Sequence, residues 1–228
     1  MKKINKYGDT DIDSLNGFGI DISLQRTDDL DADLLTVINS SEIKNPRVLD
    51  LGCGKGGQTI KMAAANCEVT AVDVQDFSGT IAEDCAKCKV NPEKINFIHS
   101  DVRHTDKYLS GEYRFIYSQR TFHYLPYSDC EKLLRLLKLH LSKSIEFNLF
   151  ISVSGIESEL GIKYADRQKP VEERFCLLDK FIADKHKILL PVCLYSMQEF
   201  KNLLLACNFK IGKIYLSEFG NIKAIAGG

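Results

Sequence analysis

Residues 48–57, VLDLGCGKGG, combine a short apolar strand, an acidic residue and a glycine-rich turn. Glycines let backbone N–H groups approach a ligand without a Cβ in the way, particularly where a helix follows the turn. Gly52, Gly54 and Gly57 fit the G-x-G-x-x-G spacing of dinucleotide-binding turns, which by itself is weak evidence. Asp50 makes the stretch more specific, because its carboxylate repels a pyrophosphate and attracts a cation. The stretch therefore predicts a strand–turn–helix site for a ligand that carries positive charge.

The composition predicts a cytoplasmic α/β protein with one sizeable core. The chain has 228 residues, a net charge of −1 and no charge excess of the kind that binds nucleic acid. The N-terminal lysines have no apolar run behind them, and no segment approaches about 18 consecutive apolar residues, so we expect neither a signal peptide nor a membrane span. The eight cysteines are expected to be reduced thiols. Cys85 and Cys88 form the only close pair, and without a second pair no metal site is expected.

From residue 47 onward the sequence alternates between strand and helix patterns, which predicts a parallel sheet with helices on both faces. The predicted strands are 47–51, 68–74, 95–100, 113–118, 145–153, 209–216 and 221–226. The predicted helices are 29–39, 56–65, 78–88, 128–141 and 196–207. Ser78 is expected to cap its helix, and Ser196 with Glu199 forms a capping-box pattern.

Residues 50–56, DLGCGKG, resemble motif I of the class I S-adenosylmethionine (SAM) methyltransferases, whose cofactor carries a sulfonium and an ammonium group. The resemblance covers residues 46–228. It implies a Rossmann-like, doubly wound, seven-stranded and mainly parallel sheet whose last strand runs antiparallel. Residues 1–45 are then an N-terminal cap or arm. Residues 154–190 are an insert, for which a lid over the site and an ordinary solvated loop both remain open.

The resemblance also implies a set of cofactor contacts at the ends of successive strands. Asp50 would serve the cationic end of SAM, Asp73 would accept hydrogen bonds from the ribose hydroxyls, and Asp101 would accept one from the adenine amino group. The full expected set is Asp50, Gly52, Cys53, Gly54, Asp73, Val74, Asp101, Val102 and Ser118. Asp73 would serve an NAD-dependent enzyme equally well, and acids at strand ends also occur as solvated residues. Asp50 is the residue that favours SAM.

Residues 117–126, YSQRTFHYLP, follow predicted strand four and supply the candidates for the acceptor site: Arg120, His123 and Tyr124. Arg120 could hold a carboxylate or phosphate of the acceptor, or be a solvated loop arginine. His123 could be a general base with a pKa near the working pH, or pack beneath the site. Arg114 stands where the family often has an acidic residue early in this strand.

The sequence therefore predicts a SAM-dependent methyltransferase that moves the sulfonium methyl group to its acceptor by in-line displacement. A small-molecule acceptor is favoured, because neither a basic patch nor the D/N-P-P-Y motif of amino-methylating DNA and protein enzymes is present. An RNA or protein acceptor, a catalytically silent SAM-binding scaffold and an NAD-dependent oxidoreductase are the alternatives. Neither the acceptor nor the oligomeric state follows from the sequence.

Overall fold

The fold is an α/β sheet with helices on both faces, described by a computed structural model for residues 15–19, 21, 28–144, 146 and 148–228. The strands are β1 (Arg47–Leu51), β2 (Glu68–Asp73), β3 (Ile95–His99), β4 (Phe115–Gln119), β5 (Leu149–Ser154), β6 (Lys210–Leu216) and β7 (Asn221–Gly227). The helices are α1 (Asp29–Ser40), α2 (Gly57–Ala64), α3 (Ser78–Cys88), α4 (Tyr127–His140), α5 (Lys180–His186) and α6 (Met197–Ala206).

The seven strands lie in the order β3-β2-β1-β4-β5-β7-β6. Strands β1 to β5 pair in parallel, and β7 is antiparallel to both of its neighbours. This arrangement confirms the predicted class, including the antiparallel last strand. The strand order reverses direction between β1 and β4, and open α/β sheets bind ligands in the crevice at such a switch point.

Alternating side chains of the central strands build a core on each face of the sheet. Val48 belongs to the cluster covered by α1, α2 and α3, whereas its neighbour Leu49 belongs to the cluster covered by α4 and α6. Both side chains are fully buried. Within the part of the chain that the structure describes, no helix is long and apolar enough to cross a bilayer.

Two of the predicted strands begin two or more residues later in the structure than in the sequence analysis. Residue 113 pairs with the end of α4 instead of joining β4, because its backbone N–H donates to the carbonyl of His140. Before β5, the Asn148 side chain donates to the carbonyl of Ser142 at 2.7 Å and holds the chain in a turn. The predicted start of that strand, residue 145, lies outside the described residues.

The predicted cap of α6 is confirmed, whereas the predicted cap of α3 is wrong. Ser196 and Glu199 form the expected capping box at α6. Ser78, by contrast, is the first residue of α3 and not its cap, since the preceding Phe77 takes that position without a side-chain bond. The Ser78 hydroxyl instead donates to Asp76 Oδ1 at 2.6 Å.

The insert at 154–190 folds against the main domain and has a hydrophobic cluster of its own. It contains α5, which the sequence analysis did not predict. Ile156, Leu160, Tyr164 and Ile182 are among the buried members of this cluster. Of the predicted N-terminal arm, residues 1–14, 20 and 22–27 lie outside the described residues. Residues 15–19 run beside the insert, with the Gly19 N–H donating to the carbonyl of Lys187 at 2.9 Å.

Candidate active site

A cavity of about 440 Å³ opens at the carboxyl ends of the parallel strands, where the sequence predicts the ligand site. Eleven of the twelve residues proposed from the sequence line it: Asp50, Gly52, Cys53, Gly54, Asp73, Val74, Asp101, Val102, Arg120, His123 and Tyr124. The exception is Ser118. That side chain is buried between strands and donates to the carbonyl of Leu51 at 2.9 Å, so the structure places Ser118 behind the cavity wall.

The glycine turn after β1 is shaped by the residues that pack against it. Gly52 has a φ of +71°, and a Cβ at this position would lie 2.0 Å from Thr121 Oγ1. Gly54 donates its backbone N–H to Asp73 Oδ2 at 2.9 Å. The first position needs glycine for both its backbone conformation and the space taken by Thr121. The turn is therefore held open toward the cavity by contacts with β2 and with the segment after β4.

Asp50 lies at the bottom of the cavity with 1% of its surface exposed. One carboxylate oxygen accepts a hydrogen bond from Thr59 Oγ1 at 2.6 Å. Burial raises the pKa of Asp50 to about 7, and the nearby charges of Asp31 and Asp73 add to the effect. A buried carboxylate in this setting is stabilised in its charged form by a cation. The geometry agrees with the cationic ligand that the sequence predicts.

Asp73, at the end of β2, is hydrogen-bonded to the backbone of the turn. Its Oδ1 accepts the N–H of Gln75 at 2.9 Å, and its Oδ2 accepts that of Gly54. Burial raises its pKa, although these backbone hydrogen bonds act in the opposite direction. Asp73 thus has a structural task in shaping the turn as well as a position on the cavity wall.

Asp101, after β3, pairs with a neighbouring arginine. Arg103 donates from its Nη2 to Asp101 Oδ2 at 2.6 Å and from its Nε to Oδ1 at 3.0 Å. The pair lowers the pKa of the Asp101 carboxyl, which therefore stays ionised. The next residue, Val102, is buried, and its carbonyl accepts a hydrogen bond from Tyr108 Oη. A contact between Asp101 and an adenine amino group would have to share the carboxylate with Arg103.

Arg120, His123 and Tyr124 are brought together at one wall of the cavity. The His123 and Tyr124 rings lie at a tilt of 39° with centroids 4.2 Å apart, and Phe18 meets Tyr124 edge-on at 5.1 Å. Arg120 has a φ of +55°, and its backbone N–H donates to the Ser152 carbonyl at 3.0 Å. A non-glycine residue in this conformation is uncommon and is often found at functional sites.

The electrostatics of this wall are unusual for a protein interior. His123 is 1% exposed, and neither ring nitrogen has a hydrogen-bond partner among the described residues. Burial lowers the pKa of His123 to about 3, and the charge of Arg120 contributes. Of the two alternatives from the sequence, a pKa of about 3 argues against a general base that works near neutral pH and agrees with a histidine that packs beneath the site. The Arg120 guanidinium has no ion pair or hydrogen bond with another described residue.

Asp31 and Gln58 are among the polar residues of the cavity that the sequence analysis did not identify. Asp31, on α1, accepts a hydrogen bond from Tyr117 Oη and another from the backbone N–H of Asp28. Gln58, on α2, is buried and lines the cavity with its amide unpaired. Asp31 follows Asp28 by three residues, so the pattern predicts only a helix cap. Gln58 lies directly after Gly56 and Gly57, and this position next to the glycine turn is the one sequence feature that could have indicated a ligand contact.

Comparison with known proteins agrees with this geometry. Residues 48–144 match the family model described as "Methyltransferase domain". No curated protein sequence matches the chain. Magnesium protoporphyrin IX methyltransferase from Synechocystis PCC 6803, solved with bound SAM, has 13% identity and a TM-score of 0.59, over 88% of this chain and 79% of that one.

Two further solved structures are similar over most of their length. A SAM-dependent methyltransferase from Aquifex aeolicus has 20% identity and a TM-score of 0.56, covering 86% of this chain and 88% of that one. The PH0226 protein from Pyrococcus horikoshii OT3 has 15% identity and a TM-score of 0.63, covering 85% of this chain and 87% of that one. At these identities the likeness shows a shared fold.

The fold and the matched domain together define a Rossmann-like methyltransferase. The matched domain and the shared fold indicate a SAM-dependent methyltransferase, a class of enzyme whose cofactor is SAM.

The cavity itself fits that cofactor. Asp31, Asp50 and Asp73 all line it, and burial raises the pKa of each carboxyl group. Three buried acids in one cavity either keep their protons or need positive charge to balance their ionised forms. The sulfonium and ammonium groups of SAM carry charge of that sign.

Proposed function

We propose that this methyltransferase acts on a small, anionic acceptor, and that Arg120 binds the anionic group of that acceptor. The observation that carries the proposal is the guanidinium on the cavity wall, which is paired with no other described residue. An arginine in such a setting binds a carboxylate or phosphate through two parallel hydrogen bonds. Acids line the other parts of the cavity, so an anionic acceptor would be drawn to the Arg120 wall.

Bound SAM supplies a methyl group that is transferred to the acceptor by in-line displacement at the sulfonium. The residues of this chain orient the acceptor and exclude water from the cavity. Arg120, His123 and Tyr124 would orient the acceptor, since holding reacting atoms about 3–3.5 Å apart can supply several kcal/mol of the barrier. Leu160 and Ile188 from the insert line the cavity and would help to exclude water, which gives the insert the role of a lid.

His123 orients the acceptor through hydrogen bonds, in this proposal, and does not remove a proton from it. With a pKa of about 3, the imidazole is neutral at physiological pH and presents one donor and one acceptor nitrogen. Such a weak base cannot hold the proton of an alcohol or a phenol. The acceptor atom should therefore be a nucleophile that is already free of a proton, such as a carboxylate oxygen or a neutral nitrogen.

The covered cavity favours a small molecule over RNA or protein. Residues 15–19 and the insert meet above it, with the Leu189 N–H donating to the carbonyl of Gly17 at 2.8 Å. One solved structure of the same fold is named for a small-molecule substrate, magnesium protoporphyrin IX. The division expected from the sequence, an N-terminal arm over residues 1–45 and a methyltransferase domain over residues 46–228, suits a site closed in this way.

The test is to incubate the protein with methyl-labelled SAM and cell lysate that has been separated beforehand by size and by anion exchange. We expect label in a low-molecular-weight fraction that the anion exchanger retains, and much less with Arg120→Ala. Label in the RNA or protein fraction would contradict the small-molecule acceptor. Binding of SAM without transfer to any fraction would indicate a catalytically silent SAM-binding protein.

A further inference from the structure

Gln58 carries an amide group that the fold leaves without a partner. The residue is second in α2, is 4% exposed and lines the cavity. Neither its Nε2 nor its Oε1 has a hydrogen-bond partner among the described residues. Buried polar atoms are almost always paired, so two unpaired atoms on one side chain point to a ligand that pairs them.

The surroundings of Gln58 limit what that ligand can be. The adjacent Thr59 is already engaged, because its hydroxyl donates to Asp50. Asp50 and Asp31 present buried carboxylates in the same cavity, so this region attracts positive charge. At the start of α2, Gly56 has a φ of +83° and provides no side-chain cap. The first turn of the helix therefore adds a positive field that favours an anion close to the same place.

One group that carries both charges at short separation is an α-amino acid. We propose that Gln58 binds the amino-acid end of SAM, with Nε2 donating to its carboxylate and Oε1 accepting from its ammonium group. This proposal rests on SAM being the cofactor. An amide suits the task because it offers a donor and an acceptor without adding a charge to an acidic cavity.

The strand order supports this orientation. Asp101 follows β3, which lies at the edge of the sheet and two strands away from β1. Gln58 follows β1, and Asp31 contacts Tyr117 on β4, on the opposite side of β1 from β3. If the adenine lies toward Asp101, the amino-acid end lies toward Gln58 and Asp31.

The experiment compares two ligands by calorimetry on the full chain. S-adenosylhomocysteine has the amino-acid end, and 5′-methylthioadenosine keeps the nucleoside but lacks that end. Gln58→Leu has nearly the same size and no polar atoms. We expect it to weaken binding of S-adenosylhomocysteine about tenfold or more, because the variant loses hydrogen bonds to charged groups of that ligand. Binding of 5′-methylthioadenosine should not change. Gln58→Glu keeps an acceptor but repels a carboxylate, and should weaken S-adenosylhomocysteine binding as well.

The matched control is Gln198→Leu, since the Gln198 amide lies on the exposed face of α6 and bonds Asn202. It should change neither affinity. Equal losses for both ligands with Gln58→Leu would mean that the residue only supports the fold, and no loss for either would remove it from the site. Both results overturn this proposal and leave the cofactor assignment standing. A wild-type protein that binds neither ligand would overturn the cofactor assignment itself.

Discussion

Asp50→Asn should make the ligand-free protein more stable and a weaker binder of SAM. Burial raises the Asp50 pKa from 3.8 to about 7, so keeping the carboxylate ionised at pH 8 costs on the order of 4 kcal/mol. An asparagine has the same shape, carries no charge and can still accept the hydrogen bond of Thr59. Urea unfolding followed by circular dichroism at pH 8 should therefore give the variant a free energy of unfolding higher by up to about that amount.

The stability difference between Asp50→Asn and the wild type should increase as the pH rises. Between about pH 4 and pH 7 the folded state keeps a proton on Asp50 that the unfolded state has released, so the wild type loses stability as the pH rises through this range. At pH 4 only about half of the unfolded chains have released this proton, so the two proteins should differ by less than about 1 kcal/mol. The advantage of Asp50→Asn should therefore grow from pH 4 to pH 7 and then level off. A difference that does not change with pH would refute the argument.

Binding should change in the opposite direction. If the carboxylate attracts the cationic end of SAM, calorimetry at pH 7.5 should show the affinity of Asp50→Asn reduced by about tenfold or more. Thr59→Val is the control for the hydrogen bond, since it removes the hydroxyl that stabilises the ionised carboxylate and leaves Asp50 in place. It should lower stability at pH 8. Tight SAM binding by Asp50→Asn would mean that the acid only shapes the turn.

Three further changes test the rest of the site. Asp73→Ala should lower SAM affinity by about tenfold or more in calorimetry, through lost hydrogen bonds to the carboxylate, and unchanged affinity would remove Asp73 from the site. Arg120→Ala should sharply lower turnover of the acceptor with SAM affinity nearly unchanged, and Arg120→Lys should restore little because an ammonium lacks the planar fork; normal turnover by the alanine variant would leave Arg120 as a loop residue. Gly52→Ala should lower the free energy of unfolding by more than about 2 kcal/mol, because its Cβ would overlap Thr121. Gly79→Ala is its control, as a Cβ there meets nothing within 4 Å and should stabilise α3 by up to about 1 kcal/mol; equal effects of the two alanines would contradict the packing argument.

The sequence was sufficient for the sheet and for the cofactor side of the cavity because both depend on local patterns. Apolar runs ending in Asp50 and Asp73 define buried parallel strands and place each acid at a carboxyl end. The α3 boundaries were predicted without error, and the capping box at α6 was confirmed. Each of these features is determined by residues that are close together in the sequence.

The remaining features depend on contacts between distant segments. The pKa of His123 falls because the folded chain buries its ring, and no local pattern reports that burial. Gln58 looks like an ordinary helix residue until its lack of partners is seen in the fold. Ser118 matched a family position, but its hydroxyl faces the Leu51 carbonyl. Inside the insert, α5 is only seven residues long, too short for a clear helical period.

The bridge between residues 17–19 and 187–189 has a consequence for the rate of turnover. Two backbone hydrogen bonds hold it, from Gly19 N–H to Lys187 and from Leu189 N–H to Gly17, and neither belongs to the sheet. We expect that breaking them would open the cavity while β1 to β7 stay paired, since local openings require less free energy than global unfolding. If S-adenosylhomocysteine leaves through this opening, its release and not the methyl transfer would set the rate of the cycle.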